Sequence, residues 1–208
     1  MNETKKGLRI AAGILLLIPA CFSILSAVTS FVSMRENLDV VAFSLCWSAV
    51  TAVLGILIAV FVLARKFTVS AVLECLLLVV PFVMSVVYTA RQGGGFSFDA
   101  LRRYWTSLSL SSAIQLADTG AAILLIIGLF LHNRKAKPLL IIGAVLSLLA
   151  SLGQLGYTLT NYIGNAGNAG MYRAMGITVG VTVVPALITF TAWILLAVYF
   201  GAQKKAAA

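Results

Sequence analysis

"SAIQLADTGAAILLII", residues 112–127, holds a single acid, Asp118, inside an apolar run. The run continues to Leu131, between "RRYW" (102–105) on one side and "HNRKAK" (132–137) on the other. About 20 mostly apolar residues are what a helix needs to cross the hydrocarbon core of a bilayer. Five further stretches read the same way, and the expected spans are roughly 8–32, 40–64, 67–90, 107–131, 138–161 and 175–200.

Composition agrees with that reading. Of 208 residues, 61% are hydrophobic and only 10% charged, where a soluble domain has about a quarter charged. The mean hydropathy is +1.05. The expectation is an all-α integral membrane protein, with residues 1–208 forming one transmembrane domain built of three sequential hairpins. That length leaves no room for a sizeable soluble enzyme domain beside the bundle. A net charge of +9 would suggest nucleic acid for a soluble protein. Here the Lys and Arg residues sit between apolar stretches, so they report topology, and the bilayer replaces nucleic acid as the expected partner.

Sorting those charges orients the chain. Lys5, Lys6, Arg9, Arg65, Lys66, Arg134, Lys135, Lys137, Lys204 and Lys205 fall on one side of the expected membrane. Arg35, Arg91, Arg102, Arg103 and Arg173 fall on the other. Ten against five on short connections places both termini in the cytoplasm, in a multi-pass plasma-membrane protein of the bacterial inner-membrane kind. Lys5, Lys6 and Arg9 ahead of an apolar stretch also resemble the opening of a signal peptide, and "LIPAC" (17–21) loosely resembles a lipoprotein cleavage box. Pro19 and the continuing run "FSILSAVTSFV" (22–32) favour an uncleaved first span. "GILIAVFVLARK" (55–66), "AILLIIGLFLHNRK" (122–135) and "WILLAVYFGAQKK" (193–205) repeat one theme, an apolar run closed by positive charge. Every membrane exit on the cytoplasmic side needs that pattern, so it does not require duplication.

Asp118 stands out against this background. On insertion scales an acid at mid-membrane costs at least about 2.5–3.5 kcal/mol, and no Lys or Arg lies in the core of any expected span. It can carry a proton, hydrogen-bond to a neighbour, or face a wet cavity. The fourth span bears Ser111, Gln115 and Asp118 on one helical face; the fifth bears Ser147, Ser151, Gln154, Thr158 and Asn161. Gln115 and Gln154 are both expected roughly 10–14 Å below the outer surface, at about 1.5 Å per residue, where they can meet. Ser44, Ser48, Thr51 and Gly55 in the second span, and Thr178, Thr182, Pro185 and Thr189 in the sixth, read more simply as packing positions. The expected solute or ion site is therefore Asp118, Gln115, Ser111, Gln154, Thr158 and Thr182, with Asp118 at its floor. Glu74 is expected to form a structural ion pair with a snorkelling Arg9, Arg65 or Lys66, Arg9 first among them.

The longest connection, "RQGGGFSFDALRRYW" (91–105), reads as a glycine joint followed by a short interfacial helix. Arg102, Arg103, Tyr104 and Trp105 form either an aromatic anchor or an outer lid over the site. "GNAGNAG" (164–170) reads as a flexible connection.

Several chemistries drop out. Cys21, Cys46 and Cys75 form no CxxC, and His132 is the only histidine, so no metal site or cofactor is expected. The cysteines read as small packing hydrophobes. No HExxH or nucleophile–His pairing is present, and an enzyme is not expected. In size and expected topology the chain is similar to the substrate-capturing subunits of energy-coupling-factor vitamin importers, six-helix proteins of about this length that take solute from outside. The likeness covers layout only; the Ala-xxx-Ala coupling signature of that family is not matched by "RIAA" (9–12). It implies a solute-binding or transport role, alone or within a larger transporter. The competing expectation is a non-catalytic assembly subunit, with other membrane subunits or further copies of itself as partners.

The orientation predicts an outcome for impermeant thiol reagents. With Cys21, Cys46 and Cys75 replaced, a cysteine at Gly94 or Gly167 should react in intact cells. Reaction only after lysis would invert the topology.

Overall fold

The computed structural model describes residues 3–33, 38–89, 110–164 and 170–202. They form six helices: α1 (Glu3–Ser33), α2 (Leu38–Leu63), α3 (Phe67–Thr89), α4 (Leu110–Leu131), α5 (Ala136–Gly164) and α6 (Gly170–Gly201). Among the described residues there is no strand. Among the described residues, four apolar stretches are long enough to cross a membrane: Glu3–Leu25, Ala113–Leu131, Ala136–Thr160 and Val179–Gly201. Shorter apolar stretches cover Ser48–Leu63 and Phe67–Val79. The expected lid residues Arg102, Arg103, Tyr104 and Trp105 lie outside the described residues.

Each helix packs on its sequence neighbours, and α6 closes back on α1. The arrangement is thus a ring. The helices present large apolar side chains outward, including Ile14, Val53, Val72, Ile123, Leu149 and Leu187. A water-soluble protein of this size rarely exposes such a continuous apolar surface, whereas lipid tails suit it. Cys21 and Cys75 are free thiols; Cys21 is exposed rather than packed, which corrects its expected role as core filler.

The core occupies one end of the ring. It joins Ala12 and Leu16 of α1, Ala59 and Val62 of α2, Phe67 and Ala71 of α3, Leu125 and Leu129 of α4, Leu140 and Ala144 of α5, and Trp193, Leu196 and Phe200 of α6. Phe67 sits at its rim, edge-on to Phe200 with ring centres 4.8 Å apart and stacked on His132 at 6.4 Å. Small residues let the backbones approach. A Cβ at Gly143 would stand 3.1 Å from the Ala121 carbonyl oxygen, and one at Gly13 would collide with the Leu63 side chain. Such close approach is how helices gain packing energy where lipid removes the hydrophobic drive between them.

The turns at this end are built from left-handed residues. Arg65 has φ 62°. Its N–H donates to the Val62 carbonyl at 3.1 Å, and the Lys66 N–H donates to the Phe61 carbonyl at 2.8 Å. Together these make a Schellman stop for α2. His132, with φ 32°, ends α4 by donating its N–H to the Gly128 carbonyl at 3.0 Å. Asn133 then opens α5, its Oδ1 accepting from the Lys135 N–H at 2.8 Å.

Arg9 enters from α1 and is buried at the end of α2. Its guanidinium donates to the carbonyls of Leu63 and Val62, while Nε has no partner. The expected Arg9–Glu74 ion pair is therefore not formed. The orphan carbonyls at a helix C-terminus carry partial negative charge and need donors, and they lie closer to Arg9 than the acid one helix farther along the ring does. Arg134 does the same for α6, with Nε donating to the Gly201 carbonyl at 3.3 Å. These contacts gather the start of α1, the two turns and the end of α6 at one basic end.

This assignment separates two variants. Arg9→Met keeps bulk but removes the donors, and should lower the detergent-solubilised unfolding free energy by about 1–3 kcal/mol. Glu74→Gln should leave Arg9's contribution intact. Equal losses from both in thermal melts would restore the ion pair.

Candidate functional site

Above the core, α4, α5 and α6 diverge around a cavity of about 320 Å³. Asp118 projects into it from α4; Ala144, Ser147, Leu148 and Ser151 line it from α5; Thr182, Pro185, Ala186, Thr189, Phe190 and Trp193 line it from α6. The α5 and α6 positions recur at steps of three and four, so each set is one helical face. The same faces continue into the core through Ala121 and Leu125 on α4, Leu140 on α5 and Leu196 on α6. Trp193 belongs to both the core and the cavity wall, and so forms the floor.

Asp118 is exposed and accepts a long hydrogen bond, 3.5 Å, from Ser147 Oγ. Ser151 Oγ donates to the Ser147 carbonyl at 2.9 Å. Pro185, which lines the cavity, has no N–H, so the Val181 carbonyl loses its usual intrahelical partner. Among the described residues, no group of three or more His, Cys, Asp or Glu side chains gathers for a metal ion.

The structure thus brings together only part of the expected site. Asp118 and Thr182 line the cavity; Gln115, Gln154 and Thr158 do not. With Asp118 opposite Ser147 and Ile114 opposite Gly153, Gln154 falls level with residues 111–113. That is about 3–6 Å farther from the core than Gln115, at about 1.5 Å per residue. The two amides therefore stand at different levels rather than the single depth expected. Gln115 is exposed and engaged in an interaction of its own. Thr158 Oγ1 donates to the Gln154 carbonyl at 2.8 Å within its own helix. Ser111 begins the same face of α4, and its side chain lies outside the described residues.

Sequence reasoning missed Phe190 and Trp193. Their signal was present, because 182, 185, 186, 189, 190 and 193 continue one helical stripe. It was hidden because aromatic residues in an apolar span look like ordinary lipid-facing or core positions. Ser147 and Ser151 were visible as a stripe but indistinguishable from packing serines.

A double-mutant cycle of Asp118→Asn with Ser147→Ala measures how firmly the acid is held. For a hydrogen bond of this length the coupling should be under about 1 kcal/mol. A coupling of several kcal/mol would make Asp118 part of the scaffold.

No protein-family model matches the chain, and no curated protein or solved structure matches it significantly.

Proposed function

We propose that this chain is a six-span plasma-membrane protein that captures a small polar solute or ion in the cavity above Trp193. It acts alone or as the capturing subunit of a larger transporter, and it is not an enzyme. Both ends of the bundle's chain, with the basic turns, lie on the cytoplasmic side, as in a bacterial inner-membrane protein. The observation that carries the reading is the position of Asp118: an exposed carboxylate on the wall of a cavity that the same helix faces close off with packed side chains.

Two physical points support it. A merely structural acid in apolar surroundings is expected to have its lone pairs taken up by firm partners. Among the described residues Asp118 accepts one long hydrogen bond, from Ser147, which leaves most of its accepting capacity to a bound solute. The packed basic end also blocks entry from the cytoplasmic side in this conformation, so a solute arrives from the opposite side.

Cysteine accessibility tests the proposal. In a background without the native cysteines, Ser147→Cys and Thr189→Cys should react with a small hydrophilic thiol reagent added from outside. Ala59→Cys, in the packed end, should resist. If the cavity positions are as inert as Ala59, the cavity is dry, and the assembly-subunit reading replaces capture.

A further inference from the structure

We infer that the cavity is built for an organic cation bearing N–H donors, a primary ammonium compound of small size. This rests on the capture reading and adds the chemical class of the occupant. Three independent features lead there.

The first is the hydrogen-bond inventory. A serine hydroxyl has one proton and two lone pairs. The proton of Ser147 is directed to Asp118 and that of Ser151 to the Ser147 carbonyl. What both oxygens still offer the cavity is lone pairs. The Asp118 carboxylate is an acceptor too, and the Thr182 and Thr189 hydroxyls accept as well as donate. A lining weighted in this way toward acceptors favours a donor-rich ligand over a carboxylate or phosphate.

The second is charge. None of the described residues lining the cavity is basic, and Asp118 gives it a carboxylate. In low dielectric an isolated negative charge is costly, and a bound cation offsets that cost more effectively than a neutral solute.

The third is the aromatic part of the lining. Phe190 and Trp193 belong to it, and cations are attracted to aromatic faces. Volume decides between an inorganic ion and an organic one. At about 30 Å³ per water, about 320 Å³ holds roughly ten waters or an organic cation of about as many heavy atoms. A bare sodium ion would touch only one side of such a space.

The experiment uses the full chain in lipid nanodiscs, with propylammonium, propanol, propionate and sodium chloride as probes and empty nanodiscs as control. Saturation-transfer NMR should show saturable binding of propylammonium alone. Asp118→Asn should weaken it at least tenfold. Trp193→Phe should preserve it, and Trp193→Leu should weaken it roughly two- to fivefold. Should Asp118→Asn fail to fold, the contrast between the two Trp193 variants carries the test. Equal binding of propanol or propionate would overturn the cation assignment and leave capture standing, as would displacement of propylammonium by sodium at equal or lower concentration. If no probe binds while Ser147→Cys still reacts with hydrophilic reagents, the ligand class is wrong and the hydrated cavity survives. If neither occurs, both readings fall.

Discussion

The end of α2 sets the terms for the whole bundle. Its last carbonyls lie in a packed, apolar setting where unpaired backbone groups cost several kcal/mol. The Schellman turn through Arg65 and Lys66 satisfies some of them, and Arg9 reaches across from α1 to satisfy others. A single interaction thus closes α2, docks α1 against it, and brings a buried cation to the negative end of a helix dipole. The other helices ending at this side follow the same logic. His132 turns α4 back on itself, and Arg134 reaches the last carbonyl of α6. Ser70 adds a tie between helices, donating from α3 to the Ile58 carbonyl of α2 at 3.3 Å.

Closing one end this tightly has a consequence at the other. Six helices in a ring enclose more space than their side chains fill unless small residues let the backbones converge. Gly13, Gly128 and Gly143 do so near the basic end, where Ala12, Ala59, Ala136 and Ala144 are fully or almost fully buried. Farther along, the same faces of α5 and α6 carry Ser147, Ser151, Thr182 and Thr189 in place of large apolar residues, and Pro185 interrupts the backbone ladder. Packing gives way to a polar cavity at the level of Trp193. Asp118 stands at that boundary, where an apolar wall gives way to a row of hydroxyl side chains.

The apolar runs were legible in the residues themselves. Helix-long stretches of Leu, Ile, Val and Ala, broken by "RK" at 65–66 and "HNRK" at 132–135, determine where helices begin and end, because chain-length hydrophobicity and turn chemistry are local properties. The fourfold spacing in α5 likewise placed Ser147 and Ser151 on one face before any neighbour was known. Which groups meet across helices was beyond that reading. Spacing along one helix says nothing about rotation or register against the next. So Gln115 and Gln154 matched in expected depth yet stand at different levels, and Asp118 faces Ser147. Arg9 chose a helix end over Glu74, because the competition is between partners brought near only by the ring. Trp193 became a floor for the same reason: one side chain is both core and cavity wall only where three helices converge and then part.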